Sequence, residues 1–76
     1  MFILYTRPNC GLCDEAKLAI GLLQEDYPLE YEEINIEEDA GLHEKYMLMI
    51  PVLVKEQRVL LYGNFGYGEL LETLIL

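Results

Sequence analysis

The sequence predicts an α/β domain with a four-stranded mixed sheet and the element order β-α-β-α-β-β-α. Two observations predict this class. The chain opens with a short apolar run, residues 2–5, that leads into a long stretch with helical spacing, and near its end two apolar runs flank a short polar turn. Strands joined through a helix run parallel, and strands joined by a tight turn run antiparallel. The 76 residues have room for a single domain, 1–76.

The first strand and the first helix have the clearest patterns. Phe2–Tyr5 is apolar without alternation, as is typical of a strand covered on both faces. Residues 7–9 end it, because a proline cannot donate a hydrogen bond to a neighbouring strand. A helix is predicted over residues 11–26, and Tyr27-Pro28 ends it. Its packed face is expected to consist of Leu12, Ala16, Ala19, Ile20 and Leu23.

The next segment carries a second strand and a weaker helix. The strand is predicted over Leu29–Ile36, with Ile34 and Ile36 facing inward. Its glutamates interrupt the alternation, which indicates an edge strand with one solvated side. A short helix is predicted over residues 37–46, although one glycine lowers its propensity. His43 is expected to be exposed on this polar helix.

The last third of the chain predicts a hairpin and a final helix. An apolar loop, Met47–Ile50, leads into a third strand, Pro51–Val54, whose proline stands at the first position, where a strand tolerates one. Lys55–Arg58 is predicted as the turn and Val59–Tyr62 as the fourth strand. The final helix is expected to run from Tyr67 to the end and to bury Leu70, Leu71, Leu74 and Ile75.

Fourteen acidic residues outnumber five basic ones, and the formal charge is −9. No nucleic-acid partner is expected, because binding to nucleic acid requires basic contacts to phosphate. The carboxylates are interpreted as a solvated surface; the alternative is steering toward basic partners. No apolar run approaches the ~18 residues of a membrane span, and the N-terminus lacks the positive flank of a signal peptide. We therefore expect a cytoplasmic protein that does not bind a membrane.

The only two cysteines, Cys10 and Cys13, stand in a Cys-x-x-Cys spacing at the predicted start of the first helix. Their sulfur atoms can meet in a disulfide, and the partial positive charge and unpaired N–H groups of a helix N-terminus stabilise a thiolate. This pattern favours a redox couple; the alternative is an inert disulfide or two small core residues. No resident metal is expected, because zinc needs two further ligands and the chain has one histidine. A metal shared between two chains through their cysteine pairs is a lesser alternative.

Three motifs resemble the thioredoxin superfamily and, within it, the glutaredoxin-like branch. They are Leu4-Tyr5-Thr6-Arg7 leading to the cysteine pair, Tyr46-x-x-x-Ile50-Pro51-Val52-Leu53 at the start of the hairpin, and Gly63-x-Phe65 before the last helix. The resemblance implies a thioredoxin-like fold with helices on both faces of the sheet. It implies that Cys10 is the attacking thiolate and Cys13 the resolving thiol. It also implies a cis bond before Pro51, facing the cysteines, and an Ile50 backbone that can pair with an extended substrate.

The resemblance implies further substrate contacts around the cysteines. Arg7 stands where glutaredoxins often keep a basic residue, which can lower a thiol pKa and meet a substrate carboxylate. Gly63, Asn64 and Phe65 occupy the loop that caps glutathione in glutaredoxins. That loop carries an acidic residue in glutaredoxins and none here, and Gly11-Leu12 replaces the usual Pro-Tyr between the cysteines. With the acidic surface, these differences predict a weaker attraction for glutathione.

Apolar and aromatic side chains in the loops leave two interpretations open. Met47, Met49 and Phe65 either fill the interior of their loops or form a rim beside the cysteines that accepts peptide substrates. Of the six tyrosines, Tyr5 and Tyr67 are expected nearest the site.

The residues and the resemblance together predict a small thiol–disulfide oxidoreductase. It is expected to be a monomer without a tightly bound cofactor. Its substrate would be a disulfide in a protein or a small molecule, and its reductant glutathione, a candidate co-substrate, or a thioredoxin reductase. The pKa of the Cys10 thiol is expected at an intermediate value within the range of about 3.5–7.5 found in such motifs, which suits a reductant. The alternative is a redox-inactive or redox-sensing binding module of the same fold.

Overall fold

The computed structural model describes residues 1–76. It confirms the predicted order of strands and helices and adds one short 3-10 turn after the second strand. None of the helices has the length and apolar content needed to cross a membrane. The elements are β1 (Phe2–Thr6), α1 (Gly11–Asp26), β2 (Tyr31–Asn35), the 3-10 turn (Ile36–Glu38), α2 (Ala40–Tyr46), β3 (Val52–Lys55), β4 (Arg58–Tyr62) and α3 (Tyr67–Leu74).

The four strands form one mixed sheet in the order β2-β1-β3-β4. β1 pairs in parallel with β2 and antiparallel with β3, and β3 pairs antiparallel with β4. The register places Leu4 of the central strand between Glu33 of β2 and Leu53 of β3. β2 is confirmed as an edge strand, and its exposed Glu32 and Glu33 discourage pairing with another chain.

Helices cover both faces of this sheet and create two separate apolar clusters. Successive residues of a strand point to opposite faces, so Leu4 and its partner Leu53 enter one cluster while Val52 and Val54 enter the other. The first, the helix-pair core beneath α1 and α3, contains Leu4, Ala16, Ala19, Ile20, Leu23, Leu53, Phe65 and Leu70. The second, the cysteine-side core beneath α2 and the 3-10 turn, contains Cys13, Ile36, Tyr46, Ile50, Val52 and Val54.

The apolar stripes of two helices differ from the predicted ones at their ends. On α1, Cys13 is buried at 1% exposure and Leu12 is 40% exposed. The stripe that faces the interior follows Cys13, Ala16, Ile20 and Leu23, and Leu12 lies at its flank in the first turn. The prediction that Ile75 is buried is also wrong, because α3 ends at Leu74 and leaves Ile75 37% exposed.

Residues 29–46 form a strand, a 3-10 turn and a helix, where the sequence predicts only a strand and a helix. Side-chain caps mark the boundaries. The predicted strand 29–36 narrows to Tyr31–Asn35, and Ile36 is fully buried from within the 3-10 turn. The Asn35 Oδ1 atom accepts from the Glu37 N–H at 2.9 Å, and the Asp39 Oδ1 atom accepts from the Leu42 N–H at 3.0 Å. Because each cap satisfies N–H groups at the start of a helix, one predicted helix becomes a turn and α2. His43, expected to be exposed, is half-buried.

The β3–β4 turn is tighter than the predicted Lys55–Arg58 turn. Lys55 and Arg58 pair with each other in the strands, so only Glu56 and Gln57 form the turn. Both turn residues have positive φ, 52° and 68°, as in the type I′ turn that matches the twist of a hairpin. Neither is glycine, so this turn holds two residues in left-handed backbone that favours glycine.

Candidate active site

Cys10 is the N-cap of α1. Its backbone is extended, with φ −116° and ψ 107°, and its carbonyl accepts from the Asp14 N–H at 3.1 Å. The Cys10 Sγ atom accepts from the Cys13 N–H, also at 3.1 Å. A serine or aspartate oxygen usually makes this contact to the unpaired N–H groups of a helix start. Here a sulfur atom takes that place, directly at the positive end of the helix dipole.

Cys10 and Cys13 are joined by a disulfide, with their Cα atoms 5.2 Å apart. The two cysteines differ in burial: Cys10 is half-buried, whereas Cys13 is 1% exposed and belongs to the cysteine-side core. Of the two sulfur atoms, the one of Cys10 is therefore the more accessible from solvent.

Aromatic and aliphatic side chains of the sheet and α2 belong to the same apolar cluster as the cysteines. The rings of Tyr5 and Tyr46 stack with centroids 4.8 Å apart and planes 25° apart. Ile50 belongs to the same cluster as Cys13, and Tyr5, Cys10 and Met49 pack against it. The sulfur pair thus lies in apolar surroundings, apart from the N–H groups of the helix start.

The Ile50–Pro51 peptide bond is cis, as the resemblance implied. Pro51 is buried. The Ile50 N–H donates to the Tyr46 carbonyl at 3.2 Å, whereas the Ile50 carbonyl has no hydrogen-bond partner in the protein. The Ile50 backbone, which the resemblance implies can pair with a substrate, therefore has only its carbonyl free.

Gly63 connects the end of β4 to the segment Met49–Pro51 through hydrogen bonds. Its N–H donates to the carbonyls of both Met49 and Pro51, each at 2.9 Å. It has φ +75°, a conformation that glycine adopts without strain. Asn64 is exposed beside it, while Phe65 is buried in the helix-pair core at 4% exposure. Phe65 therefore fills its loop and does not form a rim.

The tip of the 47–50 loop is exposed. Met47 is 44% exposed and Leu48 91%, whereas Met49 packs on the cysteine-side core.

Tyr5 lies against that core as expected, but Tyr67 packs against the helix-pair core, on the other face of the sheet. The expectation that Tyr67 lies beside the cysteines is wrong.

A polar cavity of about 320 Å³ lies between the loop before α1, residues 7–9, and the end of β2. Arg7 lines it, is exposed and forms no ion pair. Glu33 lines the same cavity; its carboxylate accepts from the Thr6 hydroxyl at 2.7 Å and pairs with the Lys17 ammonium at 3.3 Å. Lys17 also lies 3.7 Å from Asp14. The hydrogen bond to Glu33 and the charge of Glu33 raise the pKa of Lys17 above 10.5.

Comparison with known proteins decides the family. The model of the glutaredoxin-like domain (DUF836) matches residues 1–75. The chain belongs to this family. No curated protein matches it.

Two solved structures share the fold of this glutaredoxin-like domain. The X-ray structure of protein XcR50 from X. campestris has a TM-score of 0.79 and 31% sequence identity, over 92% of this chain and 89% of that one. The solution NMR structure of protein Ne2328 from Nitrosomonas europaea has a TM-score of 0.76 and 30% identity, over 93% of this chain and 85% of that one. The chain therefore has the thioredoxin-like fold over nearly its whole length, and its Cys-x-x-Cys pair fits a redox role.

The glutaredoxin-like domain has no group of three His, Cys, Asp or Glu side chains that could hold a metal ion. Its two cysteines are bonded to each other. The site also contains two residues that the sequence did not single out, namely Lys17 and Glu33. Lys17 could have been found, because it follows Cys13 by four residues and thus lies one helical turn away. Glu33 could not, since its approach to Thr6 and Lys17 depends on the pairing of β1 with β2.

Proposed function

We propose that this glutaredoxin-like domain is a thiol–disulfide oxidoreductase that reduces disulfides through Cys10 and Cys13. The observation that carries the proposal is the disulfide at the start of α1, in which one cysteine is half-buried and the other enclosed. A purely structural disulfide needs no such difference in access and no position at the positive end of a helix. Both features suit exchange of the bond with another disulfide.

The reaction transfers two electrons from the protein dithiol to the substrate disulfide. In the reduced protein, the Cys10 thiolate attacks one sulfur of a substrate disulfide, forms a mixed disulfide and releases the other substrate sulfur as a thiolate, which takes a proton from water. The Cys13 thiol then loses its proton to water, and its thiolate attacks the Cys10 sulfur, closes the Cys10–Cys13 bond and releases the second substrate thiolate, which takes up a proton. The substrate disulfide is reduced to two thiols, and the protein dithiol is oxidised to the disulfide of the structure. An external thiol reductant must reopen that bond.

The proposed substrate contacts lie on the two sides of Cys10. On one side, the free Ile50 carbonyl accepts from a backbone N–H of an extended substrate, and Gly63 and Asn64 form the adjoining surface next to the buried Pro51. On the other side, the unpaired Arg7 guanidinium favours the Cys10 thiolate and donates hydrogen bonds to a substrate carboxylate.

Glutathione and a thioredoxin reductase remain the two proposed classes of reductant. The loop at Gly63 and Asn64 carries no acidic side chain to bind the ammonium group of glutathione, and the formal charge of −9 repels an anionic tripeptide. We propose a monomer that works in the cytoplasm, where reductants keep thiols available for such a cycle.

Two serine variants test the chemistry with a small model disulfide. Cys10→Ser removes the attacking sulfur and is expected to lower reduction to the rate of the uncatalysed thiol reaction. Cys13→Ser leaves the attack intact but removes the release step, so a mixed disulfide on Cys10 is expected to accumulate and to be seen by mass spectrometry. If both variants reduce the disulfide as fast as wild type, the protein is a binding module with this fold and not a reductase.

A titration tests the proposed electrostatics of Cys10. The thiolate absorbance of the reduced Cys13→Ser variant is expected to rise with a midpoint below the ordinary thiol value of about 8.5. Arg7→Met is expected to move that midpoint upward, because it removes the unpaired cation. A midpoint above about 8.5 in the parent would contradict the proposed activation of Cys10.

The reductant is identified by a direct comparison. The oxidised protein is offered glutathione in one assay and a thioredoxin reductase with its nicotinamide donor in the other, and the appearance of free Cys10 and Cys13 thiols is followed. We expect the slower reaction with glutathione. Faster reduction by glutathione would show that the surface charge and the altered loop do not govern the choice.

A further inference from the structure

The first helix carries a second apolar stripe that no part of the protein covers. Leu18 and Leu22, one helical turn apart on α1, are 72% and 54% exposed. They lie outside the stripe of Ala16, Ile20 and Leu23 that packs on the sheet. A surface helix usually presents polar residues on the side away from its core, and large exposed apolar side chains in a row point to contact with another molecule.

These two leucines form a ridge between two hollows. On one side, a groove of about 320 Å³ lies between α1 and the turn before α3, with the buried Ala19 and Phe65 as its floor. On the other side, a second hollow of about 460 Å³ runs along Gly21. We call the ridge and the first hollow together the α1 groove. Its shape accepts an apolar side chain of a partner against Leu18 and Leu22.

The charges around the α1 groove define what kind of partner it fits. Glu15 lies at one end and Glu25 beside the other. The single cation nearby, Lys17, is held by Glu33 at 3.3 Å and by Asp14 at 3.7 Å. A second copy of the chain would bring the same carboxylates together, and each copy has a formal charge of −9. A partner that presents lysine or arginine beside its apolar side chain complements both features of the groove.

We infer that the α1 groove docks the substrate polypeptide through an apolar side chain flanked by lysine or arginine. Glu15 of the groove follows Cys13 by two residues, and Asn64 of the groove follows Gly63, whose N–H is bonded to the Met49 and Pro51 carbonyls. A polypeptide in the groove therefore extends toward the cysteine end of the molecule. That the docked polypeptide is the one whose disulfide is reduced rests on the proposed function; the docking itself does not.

Binding of a defined peptide tests the groove without any redox step. The probe is a short synthetic peptide with two leucines one helical turn apart, flanking lysines and no cysteine, added to wild-type protein and followed by amide NMR. We expect shifts of Leu18, Leu22 and Gly66. The variant Leu18→Glu/Leu22→Glu is expected to weaken binding by about tenfold, because it removes the apolar contact.

The sign of this change separates docking from simple charge attraction. The double variant makes the protein more acidic, so a peptide held by charge alone would bind more tightly. A matched control, Gln57→Glu/Val59→Glu, adds the same two charges on the hairpin, where both positions are exposed, and is expected to leave binding as tight as wild type or tighter. A probe that does not bind wild type, or that binds the groove variant as well as wild type, would overturn the inference. So would a dimer in sedimentation that the groove variant dissociates.

A second assay connects docking to reduction. The same peptide, extended by a cysteine pair closed as a disulfide, is compared with a small uncharged disulfide. The groove variant is expected to lower kcat/KM for the peptide disulfide by about tenfold and to leave kcat/KM for the small disulfide unchanged. If wild type reduces neither disulfide, the proposed function fails and the NMR result alone decides the docking. If the small disulfide is reduced and the variant reduces the peptide disulfide as well as wild type does, the docking of substrate in this groove fails.

Discussion

The two faces of the sheet are built in different ways. The helix-pair core lies beneath the two longest helices and is aliphatic except for Phe65, and its Leu4, Leu23 and Leu70 are fully buried. The cysteine-side core lies beneath α2, which has seven residues, and a 3-10 turn. It contains a cysteine and a stacked tyrosine, and half-buried residues including Tyr5 and Cys10 border it.

This difference shows how a chain of 76 residues combines a well-buried core with a disulfide of which one sulfur remains accessible. Small domains bury a modest share of their surface. A site that leaves one sulfur accessible therefore reduces the buried area on the face of the sheet that carries it. The central strand serves both faces, with Leu4 on one side and Tyr5 on the other. We therefore expect substitutions in the helix-pair core to change stability, and substitutions in the cysteine-side core to change the reaction.

The largest effect on stability is expected for Leu23→Ala in the helix-pair core. Leu23 is fully buried, so the variant loses apolar burial and leaves a cavity, which costs about 2–5 kcal/mol of the free energy of unfolding. Urea denaturation measures this loss. The rate of disulfide reduction per folded molecule should equal that of wild type; a lower rate would show that the two faces are not independent.

A smaller change in stability but a larger one in activity is expected for Tyr46→Leu. The variant keeps an apolar side chain in the cysteine-side core and loses the stacking on Tyr5, which is worth about 0.5–1.5 kcal/mol beyond the buried area. Because Tyr46 shares its cluster with Cys13, and Tyr5 and Cys10 both pack against that cluster, reduction of a small disulfide should slow severalfold. Tyr67→Leu, on the opposite face, is the control and should leave that rate unchanged. Equal rates in the two variants would remove the distinction between the faces.

The hairpin turn belongs to neither face and is expected to affect stability alone. Gln57→Gly replaces a non-glycine residue at φ 68° and should raise the free energy of unfolding by about 1 kcal/mol. Left-handed backbone costs a non-glycine residue about 1–2 kcal/mol. Glycine loses part of this gain because it has greater conformational freedom in the unfolded chain. The urea midpoint measures the gain, with Gln57→Ala as the control that keeps the strain. A glycine variant less stable than the alanine variant would contradict this account of the turn.

The smallest expected effect is a pH dependence at the polar cavity beside the cysteines. The pKa of Lys17 is raised above 10.5 by Glu33, so the pair stabilises the fold below about pH 10.5 and loses that contribution as the pH rises through the folded-state pKa. Lys17 is 37% exposed, and solvent screening keeps the contribution small. The stability difference between wild type and Glu33→Gln should therefore shrink in strongly alkaline urea titrations.

Glu69 is the control for this pH dependence, because its own contribution to stability changes at acidic pH. The N–H of Gly66 donates to its carboxylate at 2.8 Å and lowers the pKa of Glu69 below 4.5. Its contribution is present above that pH and is lost as the pH falls through the folded-state pKa. Glu69→Gln should therefore change the acid limb of the stability curve and not the alkaline one. A change in the alkaline limb would show that the assignment to Lys17 is incomplete.

Much of the fold and the centre of the site could be predicted from the sequence alone. The spacing of apolar residues predicted α1 to its bounds, and the turn between two apolar runs predicted the hairpin. The Cys-x-x-Cys pair at a helix start and the Ile50-Pro51 motif indicated the site. These features are local: each depends on residues within one or two turns of chain, whose backbone preferences and side-chain directions the sequence states directly.

The tertiary structure decided which side chains meet and which remain exposed. The stacking of Tyr5 on Tyr46 joins β1 to α2, and the contact of Glu33 with Thr6 and Lys17 joins β2 to β1 and α1. Such contacts depend on strand register and on how each helix lies across the sheet, which no single element encodes. For the same reason Cys13, and not Leu12, is enclosed, and Leu18 and Leu22 remain uncovered on a helix that is apolar on more than one side. The sequence determined that a sulfur pair stands at a helix start, and the packing of the elements decided that one of the two cysteines is accessible.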